Sequence, residues 1–351
     1  MRKVRKLLRI VNTVAPIRIC DNGGWTDTWF ARYGKVFNIA VYPYAEVQMR
    51  VYEHRGTTKR ITINAENYGE PYTIAEPGGR YGKHPLLEAA LDFMHIPPDV
   101  AIEVSIYSEA PSGCSTGTSA AVSVALIGAL DTLTPGRMTP HEVAVAAHRI
   151  ETELLKLQSG IQDQLASAYG GINYIEMHDY PNARVSQIRI PDSIWWELES
   201  RLTLVFLGQS HSSSSVHEMV IRELEEAGPE AAKLRPLRAT AEKSKDAVYA
   251  GDFGALGRAM IENTEAQAAL HPALVGPGHR KVIDIARAHG AVGWKVNGAG
   301  GEGGSVTLLS GTNRAAKRTM ICEIEESDPK FRNIPIYLSR LGLRVWDSPL
   351  G

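Results

Sequence analysis

Between a strand-like run ending at Tyr107 and an apolar run beginning at Ala120, residues 111–119 read Pro-Ser-Gly-Cys-Ser-Thr-Gly-Thr-Ser. These residue types suit an anion. Gly113 and Gly117 let the backbone come close to a ligand, and Ser115, Thr116, Thr118 and Ser119 offer hydroxyls. The helix that must start here adds unpaired N–H groups at the positive end of its dipole. A nucleotide triphosphate fits such a cradle. Gly113, Ser115 and Gly117 also satisfy G-x-S-x-G, the turn that carries a serine hydrolase nucleophile, and a glycine-rich helix cap is the third reading. A hydrolase elbow springs directly from its strand, whereas Glu109, Pro111 and Ser112 intervene here, and no H-G-G-G segment lies upstream. A Walker loop is excluded because no Gly-Lys-Ser or Gly-Lys-Thr occurs in the chain.

Other segments carry chemistry-bearing residues. Asp163 stands in Ser-Gly-Ile-Gln-Asp-Gln-Leu-Ala-Ser-Ala-Tyr-Gly-Gly at 159–171, where a carboxylate can orient or deprotonate a hydroxyl or simply complement a helix dipole. Glu151 borders an apolar helical stripe and is either a metal ligand or a surface carboxylate. His141 and His148 lack H-E-x-x-H spacing and read as structural or exposed. Gly298, Ala299, Gly300 and Gly301 open a G-x-G-x-x-G run, but a strand pattern follows where a dinucleotide fold needs a helix, so a Rossmann site is excluded. That run is either a tight turn or a place where backbone approaches the nucleotide or the 111–119 loop. Near the start, Gly23, Gly24, Trp25, Thr26 and Asp27 form a glycine turn. Asp27 can accept from paired hydroxyls and Trp25 can offer a face to sugar C–H groups, or the segment is an Asx-type turn over a core tryptophan.

The elements that must hold these residues follow from patterning. With 351 residues, 44% hydrophobic, the chain can bury a large core and divides into two domains, 1–195 and 196–351. Alternation at Val47, Met49 and Val51 marks a half-exposed antiparallel strand. A second strand is expected at 101–106, a buried helix at 120–133, and a helix carrying Val143, Ala147, Ile150 and Leu154. Helical patterns at 216–227, 230–250, 253–269 and 280–289 precede strands at 291–296 and 305–309, a further helix, and a last strand near 336–345. Mixed, largely antiparallel sheets with helices on one face make an α+β fold. Lys plus Arg (38) nearly balances Asp plus Glu (39), which disfavours nucleic acid and anionic membranes as partners and favours a small ligand. Three cysteines without C-x-x-C spacing exclude a disulfide framework or zinc site and point to a cytoplasmic protein. No signal peptide or membrane span is expected.

Taken in order, Ala-Pro-Ile-Arg at 15–18 with Gly-Gly-Trp-Thr-Asp at 23–27, residues 111–120, and Lys-Val-Asn-Gly-Ala-Gly-Gly-Glu-Gly-Gly at 295–304 resemble the three motifs of the GHMP kinases, the family of galactokinase, homoserine kinase, mevalonate kinase and phosphomevalonate kinase. The resemblance spans nearly the whole chain and is nearest the heptose-phosphate kinase and fucokinase branch. It implies a two-domain GHMP kinase fold, ATP and Mg²⁺, and a monosaccharide acceptor phosphorylated at its anomeric hydroxyl, in a monomer or homodimer. It assigns Asp163 as the catalytic aspartate and Arg18 as its basic partner. Pro111, Ser112, Gly113, Cys114, Ser115, Thr116, Gly117, Thr118 and Ser119 are assigned to ATP, and Ser119 and Glu151 to Mg²⁺. Gly24, Trp25, Thr26, Asp27 and Gly171 are assigned to the sugar. Three departures stand out: Ser115-Thr116 replaces a Gly-Leu pair, Glu302 interrupts the third glycine run, and residues 207–213 lack an arginine suited to a substrate phosphate. Heptose-type sugars lead, with fucose-like, uronic and arabinose substrates behind. A Ser115 hydrolase and an inactive sugar sensor are the alternatives from other classes.

Overall fold

The computed structural model describes residues 6–55, 59–74, 81–208 and 215–350. Its first half runs β1 (Leu7–Asn22), β2 (Gly34–Glu53), β3 (Ile61–Ala65), β4 (Tyr72–Ile74), α1 (Pro85–Phe93), β5 (Val100–Ser108), α2 (Thr118–Leu130), α3 (Pro140–Arg149), α4 (Gln162–Tyr169), β6 (Ile172–Asp179) and β7 (Asn182–Gln187). The second half runs α5 (Asp192–Arg201), β8 (Leu202–Phe206), α6 (Ser215–Ala227), α7 (Leu234–Ala250), α8 (Phe253–Leu270), α9 (Pro277–Ala288), β9 (Gly293–Val296), β10 (Ser305–Leu309), α10 (Arg314–Ser327), β11 (Arg332–Ile334), β12 (Tyr337–Leu338) and β13 (Arg344–Asp347).

The first sheet is ordered β13-β1-β2-β5-β3-β4, with β12 and β6 also on β2 and β7 on β6. Only the β3–β5 pair within it is parallel. The second sheet, β11-β8-β10-β9, is antiparallel. Beyond residue 195 the chain builds that second sheet and then returns, through β12 and β13, to the first.

Long β1 changes character along its length. Its first six residues are mostly half-buried, but its last ten are all buried, because α2 and α4 pack on β1 and β2 while α7 reaches both strands and α8 reaches β1. Arg18, Cys20 and Asp21 therefore lie in the interior. Helix α2 needs no polar face, since ten of its 13 residues are buried. Helix α3 begins with a capping box between Thr139 and Glu142, then widens into a π-helical turn at Ile150–Leu154 that carries Glu151. The helix expected from 230 starts at Leu234, and the strand expected over 336–345 is two short strands. The break falls where Gly342 crosses α4 so closely that a Cβ there would sit 2.1 Å from the Ala168 carbonyl oxygen. Among the described residues no helix is long and apolar enough to cross a membrane.

Candidate active site

Residues 112–119 line a cleft of about 470 Å³ together with Arg18, Asp163, Gly298 and Ala299. Gly113, Ser115 and Gly117 all have positive φ (74°, 58° and 70°), and the loop curls so that its carbonyls face inward. The Thr116 carbonyl accepts from the Arg18 backbone N–H (3.0 Å), the Ser115 carbonyl from Arg18 Nη1 (2.5 Å), and the Cys114 carbonyl from Ser305 Oγ (2.6 Å). Helix α2 starts from Gly117 with no side-chain cap, so its first N–H groups are left for a ligand.

Arg18 and Asp163 meet at this cleft as a two-point pair, Nε to Oδ1 at 2.8 Å and Nη2 to Oδ2 at 3.2 Å. Arg18 is 3% exposed. Burial alone would lower its pKa, but Asp163 and then Asp21 outweigh that and raise it, so the cation is permanent. Gly117 gives Asp163 its room, since a Cβ there would sit 3.1 Å from the carboxyl carbon.

The third glycine run turns against the same loop. A Cβ on Gly298 (φ +65°) would lie 3.0 Å from Ser115 Cβ, and one on Gly304 would lie 2.7 Å from Ser115 Oγ. Gly300 and Gly301 instead abut Leu274, whose carbonyl accepts from the Gly301 N–H. Of the two readings open for this run, close approach to the 111–119 loop is the one observed. Gly298→Ala should therefore displace Ser115 and raise the KM for ATP by about tenfold or more, with a smaller change in melting temperature. Unaltered ATP kinetics in a folded variant would remove this contact from the nucleotide site.

Asp27 is 4% exposed, and its Oδ2 accepts from the Gln162 N–H at 3.1 Å, at the start of the helix that carries Asp163. Burial, with Asp163 and Asp21 contributing, pushes its pKa up to about 6. The folded carboxyl thus keeps its proton up to about pH 6, whereas the unfolded chain releases it near its ordinary value. This group costs stability progressively as pH rises between those values, by up to about 3 kcal/mol, and in full above them. Ligand-free Asp27→Asn should gain melting temperature over the parent from pH 4 to pH 6 and keep a constant lead above that. A lead that does not change with pH would show that Asp27 is not the buried acid inferred.

Glu151 is also buried, at 7% exposure. Its Oε2 accepts from Ser159 Oγ (2.7 Å) and Gln164 Nε2 (3.0 Å), while Oε1 is buried without a partner among the described residues. Burial pushes its pKa to about 7, opposed by the Ser159 bond. A buried carboxylate oxygen with no donor suits a hard cation. Among the described residues no cluster of three or more His, Cys, Asp or Glu could hold a metal ion. Ser119, exposed in the first turn of α2, lines the cleft.

Other candidates lie elsewhere. Trp25 is 9% exposed, packed with Phe30, Leu234 and Leu274 and stacked on His217 at 6.0 Å. Thr26 Oγ1 donates to the Gly23 carbonyl within its own turn (2.7 Å). Gly24 lies against the Asp21 carboxylate. Gly171 joins the backbone ladder, donating to Ser339 and accepting from Ala40. Pro111 does not line the cleft, and its carbonyl accepts from the Cys114 N–H. Among the described residues Ser115 Oγ has no hydrogen-bond partner, so no base among them activates it and the hydrolase reading loses its chemistry. Cys114 is 1% exposed, its thiol pushed up to about 11 by burial. His148 and His141 bond Tyr180 (2.8 Å) and Tyr169 (3.2 Å) and are structural. Within residues 207–213, Gly208 abuts Lys330, and positions 209–213 lie outside the described residues.

Sequence reasoning missed the far end of the cleft, where Ala65, Leu87, Ile106 and Val122 supply apolar walls beside Asn67, Tyr68 and His84. That end suits a flat base more than a phosphate. It also missed Asp21 and Lys295, both 1% exposed, which form an ion pair at 3.3 Å behind Arg18.

Residues 85–171, which include the phosphate loop, Glu151 and Asp163, match the N-terminal domain of the GHMP kinases. The chain is 26% identical over 305 residues to the D-glycero-alpha-D-manno-heptose 7-phosphate kinase of Campylobacter jejuni, covering 84% of this chain and 88% of that one. It is 31% identical over 258 residues to the mevalonate kinase of Thermococcus sibiricus, covering 70% and 69%. Among solved structures, a D-glycero-D-manno-heptose 1-phosphate kinase from Bacteroides thetaiotaomicron superposes with a TM-score of 0.74 at 23% identity over 96% of this chain and 98% of that one, a likeness of fold. With its two-sheet α+β architecture and its glycine loop facing an arginine–aspartate pair, the chain belongs to the GHMP kinase family, phosphotransferases that act on an alcohol group.

Proposed function

We propose that this protein is a sugar kinase that transfers the γ-phosphoryl group of ATP to a monosaccharide hydroxyl, the anomeric one of a heptose-type sugar by preference. The observation that carries this reading is the Arg18–Asp163 pair at a cleft lined by residues 112–119. The cleft's apolar end takes the base, and the free N–H groups at the start of α2 take the phosphates. Asp163 receives or orients the acceptor hydroxyl. As the new O–P bond forms, the hydroxyl loses its proton, the β–γ bridging bond breaks, and ADP leaves with the bridging oxygen. Arg18 offers fixed positive charge to the group in flight, so the protein supplies position and electrostatics. Glu151 Oε1 and Ser119 would hold Mg²⁺, which neutralises charge on the β- and γ-phosphates when bound. Buried Asp27 faces the acceptor hydroxyls.

The sugar class draws support from relatives named for heptose phosphates and from an L-fucokinase/L-fucose-1-P guanylyltransferase of Bacteroides fragilis, 23% identical over 362 residues. The test is ADP release from Mg-ATP across heptoses and their 7-phosphates, fucose, glucuronate, galacturonate, arabinose, galactose and mevalonate. Stimulation by one sugar establishes the reading and its substrate. Stimulation by mevalonate alone overturns the sugar assignment, and sugar binding without ADP release would identify a sensor.

A further inference from the structure

We infer that Asp21 is a positioning residue for phosphoryl transfer, holding the Gly298 turn and the Arg18 guanidinium in one register. This rests on the reading of Arg18 and Asp163 as the reacting pair.

Asp21 lies three residues beyond Arg18 in β1 and is 1% exposed. On one side its two carboxylate oxygens accept from the Gly298 N–H, at 3.2 and 3.0 Å, and Oδ1 lies 3.3 Å from Lys295 Nζ. Lys295 also donates to Gln267 Oε1 (3.1 Å), and Gln267 Nε2 returns to the Gly298 carbonyl (3.1 Å). Gly298 is thus held at both its N–H and its C=O by one buried polar group of three side chains. On the other side, Asp21 Oδ2 lies 3.8 Å from Arg18 Nη2, the nitrogen that also donates to Asp163.

The result is a row of alternating charge, Lys295, Asp21, Arg18, Asp163, of which the first three are buried and Asp163 opens onto the cleft. Stability alone does not call for it, because apolar residues of similar volume commonly replace a buried ion pair without loss. What an apolar residue cannot do is draw the Arg18 guanidinium from behind while anchoring the turn that abuts Ser115. Without Asp21, Nη2 keeps one carboxylate partner, and the guanidinium is held only by its bonds to Asp163 and by Nη1 on the Ser115 carbonyl, with nothing drawing it from behind. A small rotation there moves the charge off the path of the transferred group.

The experiment compares Asp21→Asn with the paired variant Asp21→Leu/Lys295→Met, reading kcat, MgATP affinity by calorimetry and melting temperature, with Asp163→Ala as control. The paired variant removes both charges together, so its fold does not carry an orphaned lysine. Expected are a kcat lowered about tenfold or more in both, a MgATP affinity within about threefold in Asp21→Asn, and a melting temperature restored in the paired variant relative to Asp21→Leu alone. A kcat within threefold of the parent in Asp21→Asn overturns the inference. So does a kcat in the paired variant that recovers along with its melting temperature, because that marks the pair as structural. Full turnover by Asp163→Ala would sink the reading of Arg18 and Asp163 as the reacting pair, an outcome distinct from both.

Discussion

Asp163→Asn is expected to lower kcat by about 10³-fold or more while the protein folds and binds nucleotide normally. The side chain keeps its shape, and one oxygen can still accept from Arg18. What disappears is the carboxylate that receives or orients the acceptor proton, together with the charge that holds Arg18 by two parallel bonds. Asparagine leaves the loop's own ties in place: the Arg18 backbone N–H, Arg18 Nη1 and Ser305 Oγ still meet its carbonyls. ATP affinity should therefore survive, giving a kcat defect with little change in KM for ATP. Single-turnover ADP formation with the acceptor identified by the panel is the measurement. A variant that turns over within tenfold of the parent would mean that Asp163 does not handle the hydroxyl.

Arg18→Lys should cost about 10²-fold or more in kcat, despite conserving charge. Arg18 uses its planar fork in three directions at once: Nε and Nη2 towards Asp163, Nη1 to the Ser115 carbonyl, and Nη2 towards Asp21. An ammonium is a point on a flexible stem and cannot hold all three. The Ser115 carbonyl, which Arg18 Nη1 engages, would be left short of its donor, so the phosphate loop should loosen and the KM for ATP should rise as well. Arg18→Met goes further, leaving Asp163 and Asp21 without their common cation. That variant should lose about 3 kcal/mol or more of stability besides its activity. Measuring kcat and KM for Lys and Met alongside thermal melts separates the two effects. Equal kcat for parent and Lys variant would show that charge without fork geometry suffices.

Glycine carried much of what the sequence disclosed. The loop at 111–119 and the turn at 298–301 were readable because Gly113, Gly117 and Gly298 adopt positive φ, which side chains rarely tolerate. The helices and strands around them followed from apolar spacing, with β5 and α2 found within about two or three residues. The same reasoning failed where meaning depends on distant partners. Trp25 beside a glycine turn read as either a sugar face or a core tryptophan, and the residues that cover its ring, about 190 and more positions later, gave no local signal. Asp21 and Lys295 gave no spacing signal, because 274 residues separate the members of their pair. Asn67 and Tyr68 come from a single 3₁₀ turn and His84 from the cap of α1, stretches too short to show a periodicity. Glu151 was picked out by resemblance, and only the structure reveals that one of its oxygens is buried without a donor.

The pairing of β13 with β1 has a consequence for synthesis. Val11 finds its partner in Asp347 and Thr13 in Val345, so the strand that bears Arg18 has one neighbour early and its other only once the chain more than 300 residues beyond β1 has emerged. Until then β1 presents an open edge carrying Val11 and Val14, the kind of edge that recruits other chains. Release of the nascent chain short of β13 should therefore yield protein that aggregates through β1, and the arrival of β13 is the step that protects the strand bearing Arg18.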